Sequence, residues 1–138
     1  MNLFLDDKRN PDMSHRKDKG LGEAFSPIEK WVIARDFFEF KDIIDKNFND
    51  IEIISFDHDL ACYDGDGQEL TGKTAADYLI QYCLDNNKKF PSWYVHSDNT
   101  SGKANIIGAI LNYLKVIEGY DTSRFRYFNN GIINKLTV

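Results

Sequence analysis

The sequence predicts one α/β domain over residues 1–138, built on a doubly wound parallel sheet of about five strands with helices on both faces. Short apolar runs alternate with amphipathic helical stripes, the pattern typical of strand–helix–strand units. No repeat or linker divides the 138 residues, a length that suits one hydrophobic core. Hydrophobic residues make up 42% and aromatic residues 14% of the chain, which excludes a disordered polypeptide.

Four short apolar runs, each bounded by polar or turn-forming residues, predict the main strands. They are Asn2–Leu5, Trp31–Ala34, 51–56 and 93–95. The third is almost continuously apolar, as expected for a strand covered on both faces of its sheet. We expect one further strand within residues 124–138, where aromatic residues are concentrated.

Three apolar stripes with helical spacing lie between or after these runs. Asp36 is the predicted N-cap of the first helix, which extends to about residue 48. The second helix is predicted over 74–84, and the third begins near Ser101-Gly102. The predicted buried stripe of the third helix comprises Ile107, Ile110, Leu114 and Ile117.

Composition restricts the classes of partner. The formal net charge of −5 argues against a protein dedicated to duplex DNA, which usually presents a basic face. No segment approaches the roughly 20 apolar residues that span a bilayer, and the first ten residues lack the basic region of a signal peptide. Cys62 and Cys83 fit no metal-binding or redox spacing, so we expect reduced thiols in a cytoplasmic protein.

Polar side chains follow three of the predicted strands at their carboxyl ends. Asp6-Asp7 follows the first strand, Asp57-His58-Asp59 the third and His96-Ser97 the fourth. In open parallel sheets, ligands bind beyond the carboxyl ends of the strands. We therefore expect these three segments to meet at one edge of the sheet.

The aspartates at this edge predict a cation site. Asp6, Asp7 and Asp57 could share one Mg²⁺ or Mn²⁺ ion, because hard divalent cations prefer carboxylate oxygens. Without a cation, these carboxylates would repel one another. The alternative is that each aspartate only caps a helix or a turn.

His58 and His96 are candidates for general acid and base, because imidazole titrates near neutral pH. The alternative is that both are hydrogen-bonded structural residues.

Residues 96–105 connect the fourth strand to a helix and offer several donors to a phosphate group. Ser97 and Asn99 could bind phosphate oxygens beside the free N–H groups of the helix N-terminus. Arg9 could add a bidentate contact. An ordinary helix cap and a surface arginine are the competing interpretations.

Two other features are weaker signals. Residues 67–74 match the G-x-x-x-x-G-K-[ST] pattern of a P-loop, but they do not directly follow a predicted strand, and Glu69 would oppose a phosphate. We interpret them as a loop with Thr71 or Gly72 near a helix start. Residues 12–30 form a long charged loop, which is either a solvated loop or a lid over the site.

The order of these motifs resembles the cyclic-phosphate processing receiver-like family over about residues 3–110. The resemblance rests on FLDD with Arg9 and Pro11, on ISFDHDL, and on VHSDNTSGKANI. It implies a receiver-type, flavodoxin-like fold. It also matches Asp6 and Asp7 to the acidic pair that holds Mg²⁺ in receiver domains, Asp57 to the phosphoacceptor, and Ser97 to the receiver hydroxyl residue. The residues that match positions particular to this family are His58, Asp59, His96 and Asn99. Lys135 is a weak match for the receiver lysine.

Three functions are compatible with these residues. The first is a metal-dependent phosphoesterase acting on a cyclic nucleotide or on the cyclic phosphate end of an RNA, with His58, His96 and Asp59 as catalytic residues. The second is a binding module that captures such a ligand without cleaving it. The third is a phosphoacceptor receiver that uses Asp57.

Overall fold

A parallel sheet forms the centre of the protein in a computed structural model, which describes residues 1–11, 31–124, 127–128 and 131–132. Its strands are β1 (Asn2–Leu5), β2 (Trp31–Ala34), β3 (Ile53–Phe56) and β4 (Ser92–Val95), in the order β2-β1-β3-β4. Every neighbouring pair is parallel. This is the strand order of flavodoxin-like doubly wound sheets, which bind ligands where β1 and β3 diverge. The predicted fold class is confirmed.

Three helices pack against the sheet: α1 (Phe37–Asn47), α2 (Gly72–Asn86) and α3 (Thr100–Tyr113). Strand residues alternate between two faces, so that Leu3 and Leu5 join the main core while Phe4 lies in a second cluster with Trp31 and Tyr94. The main core also contains buried residues of all three helices, among them Phe40, Ile44, Leu79, Cys83, Ile107 and Ile110. The described helices therefore cover one face of the sheet, and the helices predicted on its other face are not found among the described residues.

The start of each helix is fixed by a side-chain cap. The Asp36 carboxylate accepts from the Glu39 backbone N–H, as the sequence predicts. Thr71 caps α2 and Asn99 caps α3. Because Thr71 is a helix cap, the interpretation of residues 67–74 as a loop with a helix start, and not a P-loop, is consistent with the structure.

The C-terminal segment differs from the prediction. In place of a further strand in the main sheet, the described part of the tail forms an antiparallel pair, β5 (Tyr127–Phe128) and β6 (Gly131–Ile132). The predicted loop 12–30 and Lys135 lie outside the described residues.

The predicted stripe of α3 is wrong at its end. Ile107, Ile110 and Leu114 are buried, but Ile117 is 54% exposed. After Tyr113 the helix widens into a turn over Leu114–Glu118 that ends at Gly119 in the left-handed conformation. A wider turn breaks the 3.6-residue period, so the spacing no longer places Ile117 over the core.

Cys62 and Cys83 are buried free thiols, in agreement with the prediction. Within the described part of the chain, no helix has the length and apolar character needed to cross a bilayer.

Candidate functional site

The register of the sheet brings Asp6, Asp57 and His96 side by side. Leu5 pairs with Phe56, and Phe56 pairs with Val95, so the next residue of each strand lies beside the next residue of its neighbour. Backbone hydrogen bonds continue this ladder, from Asp57 N to Leu5 O at 2.9 Å and from His96 N to Phe56 O at 2.9 Å. The three segments predicted to meet at the carboxyl edge of the sheet do meet there.

The Asp6 carboxylate is buried and fully hydrogen-bonded. Its Oδ1 accepts from the backbone N–H groups of Lys8 and Arg9 at 2.9 and 2.8 Å. Its Oδ2 lies 3.0 Å from His96 Nε2 and 3.3 Å from Arg9 Nε. Burial alone would raise the pKa of Asp6, but the hydrogen bonds from His96 and from the Arg9 and Lys8 backbone outweigh it and hold the pKa well below its usual range.

Asp57 shares the same pocket but has the opposite electrostatic balance. Burial is the largest effect and raises its pKa, and the neighbouring Asp6 charge adds to it. The pKa is lowered by His96, by the His58 backbone N–H and by Arg9, but these effects do not cancel the rise. Asp57 Oδ1 accepts from His58 N at 2.8 Å and lies 3.9 Å from Arg9 Nη2, whereas Oδ2 makes no hydrogen bond within the described chain. When ionised, Asp57 therefore has fewer hydrogen-bond donors around its carboxylate than Asp6 has.

His96 is fully buried beneath these carboxylates. Its ring stacks on Phe4, with centroids 4.3 Å apart, and Nδ1 lies 2.6 Å from Ser55 Oγ. An ionised Asp6 can only accept, so His96 Nε2–H donates to it, and in the neutral ring Nδ1 accepts from the Ser55 hydroxyl. Ser55 thus fixes the ring, a role that its sequence position within a strand did not indicate.

Arg9 extends across the acidic residues. Besides Asp6 and Asp57, its guanidinium contacts Asp98, with Nη1 3.2 Å from the Asp98 carboxylate. The Arg9 side chain remains 27% exposed, so it lies at the surface of the pocket.

Arg35, which follows β2, supports the loop that carries Arg9. Its Nη1 donates to the backbone carbonyls of Asp6 at 3.2 Å and Arg9 at 2.7 Å, and its Nη2 donates to Asn10 Oδ1 at 2.7 Å. Sequence reasoning missed this role, because an arginine after a strand is most often a surface residue.

A second Asp–His pair lies nearer the surface. His58 Nδ1 is 2.8 Å from Asp59 Oδ1, and this hydrogen bond lowers the pKa of Asp59 despite some burial. Asn99 Nδ2 donates to both Asp59 oxygens, at 3.1 and 3.2 Å, while Asn99 Oδ1 accepts from Gly102 N at 2.8 Å. Because ionised Asp59 only accepts, Nδ1 of His58 carries the proton, and Nε2 of the neutral ring is the free base.

The first turn of α3 packs directly on the His58 ring. A Cβ added at Gly102 would lie 2.3–2.6 Å from three atoms of that ring. Only glycine therefore lets α3 begin beside the His58–Asp59 pair.

We expect Gly102→Ala to displace His58 and to destabilise the protein by roughly 1–3 kcal/mol, the usual cost of overpacking. Gly108→Ala, in the same helix, meets nothing within 4 Å and should stabilise the protein by about 0.5–1 kcal/mol through helix propensity. Urea unfolding together with the NMR signals of the His58 imidazole measures both effects. Equal stabilities for the two variants, with His58 signals unchanged, would contradict this packing.

The carboxylates described above line an acidic cleft of about 570 Å³ together with Arg9 and Asn99, whereas His58 and His96 do not line it. Its lining residues are Asp6, Asp7, Lys8, Arg9, Asp57, Asp59, Ala61, Tyr63, Glu69, Ser97, Asp98 and Asn99. Six carboxylates face two cationic side chains, so an anionic phosphate would be repelled unless further positive charge is bound. Ser97 is buried, and its Oγ accepts from Asn99 N at 3.1 Å, which leaves the hydroxyl proton able to donate.

The residues fit a divalent cation by their donor chemistry. One ligand atom each of Asp6, Asp57 and His96 lies within 4.8 Å of the others. Asp7, predicted as the third ligand, lines the cleft but is not in this group. Because His96 Nε2 is already bonded to Asp6, the available donors are oxygens, which suits Mg²⁺ or Mn²⁺.

The fold and the site together define a receiver-type α/β domain with an acidic cleft, underlain by the buried His96, at the carboxyl edge of its sheet. The family model of the cyclic-phosphate processing receiver domain matches residues 1–112, and the chain belongs to this family. No curated protein and no solved structure matched the chain.

Proposed function

We propose that this receiver domain is a metal-dependent phosphoesterase that opens a cyclic phosphate, carried by a cyclic nucleotide or by the cyclic phosphate end of an RNA. The observation that carries the proposal is the presence of two Asp–His pairs next to Asp57, one on the two neighbouring strand ends and the other formed by the two residues that follow Asp57 in the chain. One pair, Asp6–His96, is buried, and the other, Asp59–His58, is more exposed, with Asp59 lining the acidic cleft. A purely structural domain has no need of two such pairs at one edge.

The charge of the cleft supports a requirement for metal. Asp57 would hold Mg²⁺ or Mn²⁺ together with Asp6, which would give up its contact with Arg9, and with Asp7, the further ligand that the sequence predicts in the cleft wall. The bound ion would polarise a phosphoryl oxygen and offset the charge of the lining carboxylates. Asp57 Oδ2 is the oxygen best placed to contribute, because the one side-chain hydrogen bond of Asp57 with described residues and its ion pair with Arg9 both use Oδ1.

His58 is the proposed general base. Its Nδ1–H is held by Asp59, which orients the ring and leaves Nε2 able to accept a proton from water. The water oxygen forms a bond to phosphorus as the ring P–O bond breaks, and His58 takes up the water proton. A proton then passes from His58, through solvent, to the leaving oxygen, so that the reaction adds one water molecule across the broken bond. His58 and Asp59 therefore keep the catalytic roles predicted for them.

His96 and Asn99 have contacts that favour positioning roles. His96 uses both ring nitrogens within the protein and keeps Asp6 ionised and oriented. Asn99 caps α3 and fixes Asp59. Their predicted direct roles, as acid or base and as phosphate ligand, stay predictions.

Arg9 and Ser97 are the proposed phosphate ligands. Arg9 can exchange its contact with Asp98 for one with a phosphate oxygen at little cost, because the Asp98 side chain is 66% exposed. The Ser97 hydroxyl can donate a second hydrogen bond.

The test is ³¹P NMR of 2′,3′-cyclic nucleotides, 3′,5′-cyclic nucleotides and cyclic dinucleotides, each with MgCl₂, MnCl₂ or EDTA. We expect a phosphomonoester signal, or a ring-opened diester from a cyclic dinucleotide, from at least one class and only with metal. His58→Ala should slow its appearance by roughly 100-fold or more. An unchanged spectrum for every ligand, although metal is bound, would refute the enzymatic proposal.

The burial of His96 also favours a second candidate, a module that binds the same ligand without cleaving it. Its signature would be thermal stabilisation by the ligand with no product formed. Phosphorylation of Asp57 remains a prediction, and Lys135, its weakly matched partner, lies outside the described residues.

A further inference from the structure

We propose that Tyr63 stacks on the nucleobase of the ligand, so that the cleft selects cyclic phosphates attached to a nucleoside. This inference rests on the proposed function, because it assigns a base-binding surface to the same cleft. Tyr63 lines the cleft together with Ala61 and Glu69. Its side chain is 59% exposed, so the ring is accessible to a ligand in the cleft.

The segment that presents Tyr63 is held firmly. Leu70 N donates to Cys62 O at 2.8 Å, and Asp64 N donates to Gln68 O at 2.9 Å, which forms a hairpin-like turn across the Tyr63–Glu69 bridge. The Asp64 carboxylate also accepts from the backbone N–H groups of Asp66 and Gln68, at 2.8 and 2.9 Å. The backbone that carries the ring therefore needs little further ordering when a ligand binds.

The burial pattern of the segment directs its outer face to the cleft. Burial alternates along residues 60–63: Leu60 and Cys62 are buried in the main core, whereas Ala61 and Tyr63 are exposed. Ala61 has a φ of 47°, in the left-handed region that costs a non-glycine residue roughly 1–2 kcal/mol. The core contacts and hydrogen bonds thus hold a strained turn in the conformation that places Tyr63 at the cleft.

The combination of groups in the cleft matches the two parts of a nucleotide. Arg9 and Ser97 are the proposed phosphate ligands, while Tyr63 in the same cleft offers an aromatic face without charge. Among the described residues, Tyr63 has no ring partner or side-chain hydrogen bond that would occupy it. Every nucleobase has a π-face, so stacking on tyrosine favours a nucleoside without selecting one base.

Calorimetric titration in MnCl₂ tests the inference with two ligands, adenosine 2′,3′-cyclic phosphate and the base-free glycerol 1,2-cyclic phosphate. We expect Tyr63→Ala to weaken binding of the adenosine ligand roughly 5- to 100-fold, the range found for base stacking. Tyr63→Phe, which keeps the ring, should match the wild-type protein. Neither variant should alter binding of the glycerol ligand.

Three results would overturn the inference in distinguishable ways. If Tyr63→Ala binds adenosine 2′,3′-cyclic phosphate as the wild-type protein does, the stacking role is wrong and the proposed function is unaffected. If Tyr63→Ala weakens the binding of both ligands equally, Tyr63 supports the structure of the cleft and does not contact the base. If the wild-type protein binds neither ligand, the proposed function fails and the inference fails with it.

Discussion

Asp57→Asn is expected to raise the melting temperature of the metal-free protein and to remove its response to Mn²⁺. The folded-state pKa of Asp57 is raised, chiefly by burial. The Asp57 carboxyl group therefore contributes stability that is fully present below its pKa in the unfolded chain. This contribution is lost as the pH rises through its folded-state pKa. At neutral pH the ionised carboxylate destabilises the fold, and an isosteric amide removes this effect while its Oδ1 can still accept from His58 N.

The expected gain is roughly 0.5–2 kcal/mol, typical of replacing a functional residue that is poorly satisfied in the folded state. For a domain of this size, this is a rise of about 2–8 °C. Thermal melts in EDTA and in MnCl₂ measure both effects, because a ligand that binds only the folded protein raises the melting temperature. Mn²⁺ should stabilise the wild-type protein and leave the variant unchanged.

Asp98→Asn is the matched control for Asp57→Asn. Asp98 lines the same cleft, but its side chain is largely exposed, so its replacement should change stability by less than about 0.5 kcal/mol. A lower melting temperature for Asp57→Asn in EDTA, or a Mn²⁺ response equal to that of the wild-type protein, would contradict the assignment of Asp57.

Asp6→Asn is expected to act in the opposite direction and to destabilise the protein by roughly 3 kcal/mol. The Asp6 carboxylate accepts from two backbone N–H groups, from His96 and from Arg9. An amide has only one oxygen, so its NH₂ group would face a donor on at least one side and leave a buried donor unpaired. Urea unfolding at neutral pH measures the loss.

The pH dependence of stability provides a second test of Asp6. Because its folded-state pKa is lowered below the ordinary value of 3.8, Asp6 contributes stability that is present above that value and is lost as the pH falls through the folded-state pKa. The free energy of unfolding of the wild-type protein should therefore fall on acidification, and Asp6→Asn should show a smaller fall. If Asp6→Asn and Asp57→Asn change stability in the same direction, the two carboxylates do not differ as described.

The sequence predicted the sheet well because its signals are local. Asn2–Leu5 and Trp31–Ala34 were predicted with the observed bounds, since each is a short apolar run that ends at charged residues. The meeting of Asp6, Asp57 and His96 was predictable for a more general reason. Parallel strands place their carboxyl ends at one edge, so a polar residue after each strand must lie near the others.

Side-chain partners were harder to predict, because they depend on register and direction. The third member of the close group with Asp6 and Asp57 is His96, whereas Asp7 lines the cleft outside this group, and its role as a ligand stays a prediction. Residues that alternate along a strand point to opposite faces, and Asp6, Asp57 and His96 follow Phe4, Ser55 and Tyr94 by two residues each, whereas Asp7 has the opposite parity. Which of these residues lie on the same face could be determined only from the register of β1, β3 and β4.

Other parts of the site had no signal in the sequence. Ser55 appears as a polar interruption of an apolar strand, and Arg35 appears as an ordinary charged residue after one. Their roles follow from contacts with residues 41 and 26–29 positions away in the chain. Tyr63 lies in a loop, and the role proposed for it depends on its exposure and its place in the cleft, neither of which the sequence shows.

The central claim is that Asp57, together with a divalent cation, makes an otherwise repulsive acidic cleft competent to open a cyclic phosphate. The most direct test follows the ³¹P signal of a nucleoside 2′,3′-cyclic phosphate with the wild-type protein and with Asp57→Asn, each in MnCl₂ and in EDTA. We predict a phosphomonoester signal only for the wild-type protein in MnCl₂. Equal product formation by folded Asp57→Asn, or by the wild-type protein in EDTA, would contradict the claim.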